Sequence, residues 1–154
     1  MPVLITNQQK RRRIPQARTR SLAQAILNAL GSPDAELSIV LTDDENMSVL
    51  NSRYLDREGP TNVMAFPMRE GPDAEMSPYL LGDVVISLDT AAREAKEARI
   101  SLWRRFVELL IHGILHLFGH DHATADETAL MEAEAARLAA LMEGEADGQT
   151  CRKR

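Results

Sequence analysis

The sequence predicts a single α/β (α+β) domain, a small mixed four-stranded sheet packed by about five helices. Three observations lead there. The chain has 154 residues, a length that makes one domain with a hydrophobic core of its own. Its composition, 44% apolar and 27% charged, is that of a folded globular chain. Short β-branched runs alternate with segments of helical spacing in the order β-α-β-α-β-β-α-α-α, which suits a mixed sheet covered by helices.

Each element has a local reason. Val3–Thr6 is a short β-branched run before Asn7 and reads as a strand. Pro15 opens a helix over Gln16–Leu30, with Leu22, Ile26, Leu27 and Leu30 on one face and Gly31-Ser-Pro33 as its stop. Glu36–Thr42 is strand-like, and Thr42 or Asp43 can cap a helix running to about Tyr54. Asp56–Pro60 is turn chemistry, and Thr61–Phe66 is a strand stopped by Pro67. An irregular loop is expected over 69–79, then a fourth strand over Leu81–Leu88. Asp89 or Ser87 caps a polar helix through Ala98.

Ser101 to Phe118 is apolar enough to be a mostly buried helix, and Gly119 is its left-handed stop. Thr124 and Glu127 have capping-box spacing and open the last helix, with Leu130, Glu134, Leu138 and Leu141 on one side. The domain is thus expected over 1–143, with a polar, disordered tail over 144–154.

No apolar run approaches the ~20 residues of a membrane span, and the first residues lack the features of a secretory signal. The lone cysteine, Cys151, agrees with a reducing compartment. The expected location is the cytoplasm, with no membrane partner. Net charge is −5, which argues mildly against coating nucleic acid. The charge is uneven, however. Residues 1–20 carry Lys10, Arg11, Arg12, Arg13, Arg18 and Arg20 with no acid, a patch that can meet phosphates or be a solvated loop.

All four histidines, His112, His116, His120 and His122, fall within Ile111–His122. His112 and His116 are four apart on the long helix, one turn and roughly 6 Å of rise, so both imidazoles leave the same side. Gly119 turns the chain so that His122 can return as a third ligand. Three imidazoles suit a borderline cation such as Zn²⁺ and leave a coordination position for water or substrate. A buried histidine is more often a hydrogen-bonded core residue, but several unpaired imidazoles on one apolar helix would be costly.

The stretch His112-Gly-x-Leu-His116-Leu-x-Gly-x-Asp-His122 resembles the signature of the YbeY family of bacterial endoribonucleases. Pro60-Thr-Asn-Val-Met-Ala-Phe-Pro67 and Leu81-Gly-Asp-Val-Val-Ile-Ser87 resemble two further segments of that family, as do Leu50-Asn51 and Tyr54, so the similarity spans about 36–142. The resemblance implies one zinc on His112, His116 and His122, and a single-strand-specific endoribonuclease of 16S rRNA 3′-end maturation and ribosome quality control. The implied partners are RNA, the ribosome or its small subunit, a ribosomal protein and an assembly GTPase.

Two positions depart from the family pattern. His120 stands where tyrosine is common, and is read as a group supporting the ligands, as an acid or base, or as a surface residue. Leu55 stands where the family has an arginine, and the flanking Arg53 and Arg57 are candidates for holding a phosphate in its place. Asp121 either orients a ligating imidazole through its second nitrogen or merely caps the helix.

His-Glu-x-x-His peptidases place a general-base glutamate after the first histidine; here that residue is Gly113. A zinc amidase or peptidase would need a carboxylate from elsewhere, with Glu108 or Asp83 nearest. A third possibility is a non-catalytic ribosome assembly factor with a structural zinc.

Overall fold

The computed structural model describes residues 3–68, 79–121 and 123–152, the last ten of these by their backbone alone. Among the described residues, nine elements follow the expected order. They are β1 (Val3–Asn7), α1 (Gln16–Ala29), β2 (Glu36–Thr42), α2 (Asp44–Leu55), β3 (Val63–Pro67), β4 (Leu80–Ser87), α3 (Leu88–Ala98), α4 (Leu102–Leu117) and α5 (Ala125–Arg152). The loop expected over 69–79 falls almost wholly outside the described residues.

The sheet order is β1-β2-β4-β3. β1, β2 and β4 run parallel, and β3 returns antiparallel along β4 as an edge strand. The register pairs Ile5 with Ile39 and Ile39 with Val84. Inward apolar positions on the three parallel strands therefore line up on one face.

The two faces are unequal. One carries the main core, in which Ile26 and Leu27 of α1, Leu88 and Ala91 of α3, Phe106, Leu110 and Ile114 of α4, and Met131 and Leu138 of α5 pack on Leu37, Ile39, Val84 and Ile86. On the other face, among the described residues, α2 packs through Met47 against Met64 and Val85. Alternation along β3 divides its residues accordingly. Val63 and Ala65 face the main core, and Met64 and Phe66 face α2.

Local chemistry fixes the element ends. Asp43 caps α2 by accepting from the Asn46 N–H at 2.9 Å. Ser87 takes the cap of α3, so Leu88 opens that helix and does not end β4. Ser101 caps α4, and Thr124 caps α5 by accepting from the Glu127 N–H at 3.1 Å.

The expected face of α5 needs correction. Leu138 is buried as expected, but Leu130 and Leu141 are exposed, and Met131 and Met142 complete the buried stripe, with Ala135 packed beside it. Spacing alone admits either stripe; contact with α4 and α1 selects this one. The backbone of α5 also stays helical through Gly144, where the tail was expected to begin. Among the described residues no helix is long and apolar enough to cross a membrane.

Candidate active-site cleft

Two glycines set how closely α4 lies on the sheet. A Cβ at Gly113 would stand 2.6 Å from Val84 Cγ1 and 3.2 Å from Val63 Cγ2. At Gly82 (φ +147°) it would meet the Phe66 carbonyl oxygen and Leu117. The helix therefore rests against β3 and β4 on bare backbone, and the residue after His112 has a packing reason to be glycine. That alignment also gives direction. Gly113 sits over Val63, where β3 begins, and Leu117 near Pro67, where it ends, so α4 runs along the edge strand.

A cleft of about 800 Å³ opens between α4 and β3, closed on the other side by the C-terminal end of α2. His112 and His116, both half-buried, line its α4 wall with ring centroids 6.0 Å apart. The helix ends immediately beyond them. The His120 N–H reaches the Leu115 carbonyl (3.1 Å) and the Gly119 N–H reaches the His116 carbonyl (3.0 Å), with Gly119 at φ +94°. Glycine is the residue that takes this turn without strain. It brings His120 and Asp121 into the cleft lining.

His122 lies outside the described residues, so the three-histidine set is seen here only in its two helical members. Among the described residues, no three His, Cys, Asp or Glu side chains converge to hold a metal.

The opposite wall separates the two candidate arginines. Arg57 lines the cleft and Arg53 does not. The cause is the end of α2, where Asp56 adopts the left-handed conformation (φ 51°) and the Arg57 N–H returns to the Asn51 carbonyl at 3.2 Å. Asn51 also donates through Nδ2 to the Gly59 carbonyl (2.9 Å), which pins the 56–60 turn. Arg53, still within the helix, points to solvent. Leu55 lines the cleft as well. Tyr54 stands edge-on to Phe66, with centroids 5.4 Å apart.

Arg105 is a cleft residue that sequence reasoning missed. It pairs with Glu94 of α3 and Glu108 of α4, each at 3.1 Å, and Glu94 also accepts from Asn62 Nδ2 at 3.2 Å. Asn62 opens β3 and lines the cleft, so one carboxylate fixes two polar groups on its floor. A spacing signal existed: Arg105, Glu108, His112 and His116 follow each other at intervals of three and four, one stripe of a helix. Of the two carboxylates named for an amidase, Glu108 lines the cleft, though held by Arg105, and Asp83 does not.

His120 has a second neighbour across the turn. Glu134 of α5 titrates below its ordinary range, chiefly because Arg137 donates to it, with smaller help from the Arg137 charge and from His120. Burial opposes that shift.

A sequence profile described as endoribonuclease YbeY matches residues 4–143. The chain belongs to the YbeY family. Endoribonuclease YbeY of Geobacter sulfurreducens is 49% identical over 145 residues, 93% of this chain and 97% of that protein. The Geobacter metallireducens protein of the same name is 47% identical over 147 residues, 94% and 98% of the two chains. The fold matches the solution structure of TM1509 from Thermotoga maritima, with TM-score 0.67 and 20% identity over 96% of this chain and 93% of that one. Membership supports a hydrolase acting on RNA, and the cleft beside β3 is where this YbeY-family chain gathers side chains suited to that work.

Proposed function

We propose that this chain is a zinc-dependent endoribonuclease that cuts single-stranded RNA, acting in the cytoplasm in 16S rRNA 3′-end maturation and ribosome quality control. The observation that carries the reading is the pair His112 and His116 on one wall of an open cleft, facing Arg57 across the edge strand.

The donor set fits zinc. Two imidazoles leave one helix face side by side, and His122 follows the Gly119 turn as the third, a neutral nitrogen set that suits a borderline cation. Bound there, zinc would supply a Lewis acid for a phosphoryl oxygen and acidify a bound water.

The chain's own groups do the rest. Arg57 offers a guanidinium to a phosphate, and a planar fork of donors matches two phosphate oxygens at once. Arg105, whose guanidinium nitrogens are taken by Glu94 and Glu108, fixes the floor of the cleft and leaves the phosphate to Arg57. The exposed Tyr54 ring is a platform for an unpaired base, which favours single strands over duplex. His120, at the mouth, takes or releases a proton at an oxygen of the scissile phosphate. Asp121 orients one imidazole of the ligand set by accepting a hydrogen bond from its second ring N–H. The setting this implies is the small ribosomal subunit, with a ribosomal protein and an assembly GTPase as partners.

The test is elemental analysis of the purified chain beside cleavage assays on single-stranded RNA, duplex RNA and a peptide, each with and without a chelator. One zinc per chain and chelator-sensitive cleavage of single-stranded RNA are expected. Peptide cleavage would favour an amidase using Glu108. Zinc present with neither substrate cut would favour a structural metal in an assembly factor.

A further inference from the structure

We propose that the loop between β1 and α1 is a second RNA-backbone site, in which Lys10, Arg11 and Arg13 hold phosphates of the strand that leaves the cleft. The proposal rests on the RNA reading above. Four consecutive basic residues usually mark a solvated, mobile loop, but this one is built. Gln9 is buried (8% exposed). It donates through Nε2 to the Arg12 carbonyl (2.8 Å) and the Asn7 side chain (3.0 Å), and accepts from the Arg12 N–H (2.9 Å).

The Gln8 N–H extends the β1–β2 ladder to Leu41 (2.8 Å), and Ile14 packs on the core. Arg12 is itself tied to Asp89 at 3.6 Å. Further along, Arg18 lies over Trp103 and Arg20 reaches the Val3 carbonyl. Lys10, Arg11 and Arg13 are exposed and form no ion pair among the described residues. A fixed loop offering uncommitted cations binds a polyanion with less ordering cost than a flexible one.

The topology aims this loop along the substrate's path. It leaves the carboxyl end of β1, and β3 begins at that same end of the sheet, because β3 alone is antiparallel. The Ser87 N–H bonds the Asn62 carbonyl (3.0 Å), Ser87 donates to Asp44 (2.7 Å), and the Asp44 N–H meets Asp89 (3.2 Å), the partner of Arg12. Cleft floor and basic loop are thus joined across three inter-strand gaps, about 14 Å. The cavity beneath the loop is lined by Arg11, Arg12 and Arg93 and by four acids, so it repels an anion as a whole. Phosphate is met instead by the solvent-exposed side of Lys10, Arg11 and Arg13.

Initial-rate cleavage of a tetranucleotide and a dodecanucleotide, at several salt concentrations, tests this with the full chain. Arg11→Ser combined with Arg13→Ser is expected to raise KM for the dodecanucleotide and leave kcat and the tetranucleotide unchanged. The slope of log KM against log salt should fall by about 0.7 per arginine. Gln9→Ala, which keeps every charge, should raise the same KM to a smaller extent. Lys96→Ser, an exposed charge on α3, should leave it alone.

An unchanged dodecanucleotide KM in the double variant, or an equal rise in Lys96→Ser, overturns the proposal. So does loss of binding to phosphatidylserine vesicles with RNA kinetics unchanged, which assigns the loop to a membrane surface. In those cases the wild type still cuts RNA; if it cuts neither oligonucleotide, the RNA reading itself fails and takes this site with it.

Discussion

The cleft beside β3 and the carboxyl end of the parallel strands are both crowded with charge, yet they use it in opposite ways. At the strand ends Asp44 accepts from Ser87, Thr90 and Arg93, and its own N–H donates to Asp89. The carboxylates of Asp44 and Asp89 are thus each held by neighbouring groups. In the cleft, the side chains of Arg57 and His120 make no hydrogen bond or ion pair among the described residues and face open space. Saturated polar clusters hold a fold together, and polar groups aimed into a cleft are kept for a ligand. Charge density alone does not distinguish the two; partnership does.

His116→Ala is the strongest way to break the contrast. RNA cleavage and bound zinc should fall by more than the roughly 100-fold that loss of a supporting residue costs a metal site, while the unfolding midpoint of the chelated protein moves little. Retained zinc and activity would remove the histidines from the chemistry.

Gly113→Ala probes the contact on which the cleft depends. The added methyl meets buried Val84, and overpacking should outweigh alanine's better helix propensity, for a net loss of about 1–2 kcal/mol. Denaturant unfolding reads this, and Val84→Ala in the same chain should recover part of it. No loss would mean that α4 is free to rise from the sheet.

Asp44→Ala is the converse of the histidine variant, with stability lost and cleavage kept. It strands the buried Ser87 hydroxyl and removes the Arg93 pair, which together cost roughly 1–3 kcal/mol, the exposed arginine contributing least. The pH dependence follows from the same group. Burial alone would raise the Asp44 pKa, but hydrogen bonds from Arg93, Thr90 and Ser87, with the Arg93 charge, hold it below the ordinary value. Its contribution is therefore present above the unfolded pKa and lost as pH falls through the folded one. The stability gap between wild type and Asp44→Asn should close as pH drops below about 4.

The smallest effect separates the two arginines of the α2 end. Arg57→Ala should lower kcat/KM for RNA by roughly tenfold, as loss of one phosphate contact does, and Arg53→Ala should leave it unchanged. Equal effects would place the useful charge in the general field of the loop.

The sequence by itself determined the order of the nine elements among the described residues, because period and caps are local: Asp43, Ser101 and Thr124 act on backbone groups within a few residues. It also determined that His112 and His116 share one side of a helix, since four residues make about one turn. Only the tertiary structure decided what depends on distant neighbours. The strand order left β3 at the edge and so opened the cleft. Contact with α4 and α1 buried Met131 and Met142 beside the expected Leu138, in place of Leu130 and Leu141. The left-handed turn at Asp56 sent Arg57 into the cleft, and Glu94, eleven residues away in sequence, fixed Arg105 there. Periodicity states which residues share a face, and packing alone states what that face meets.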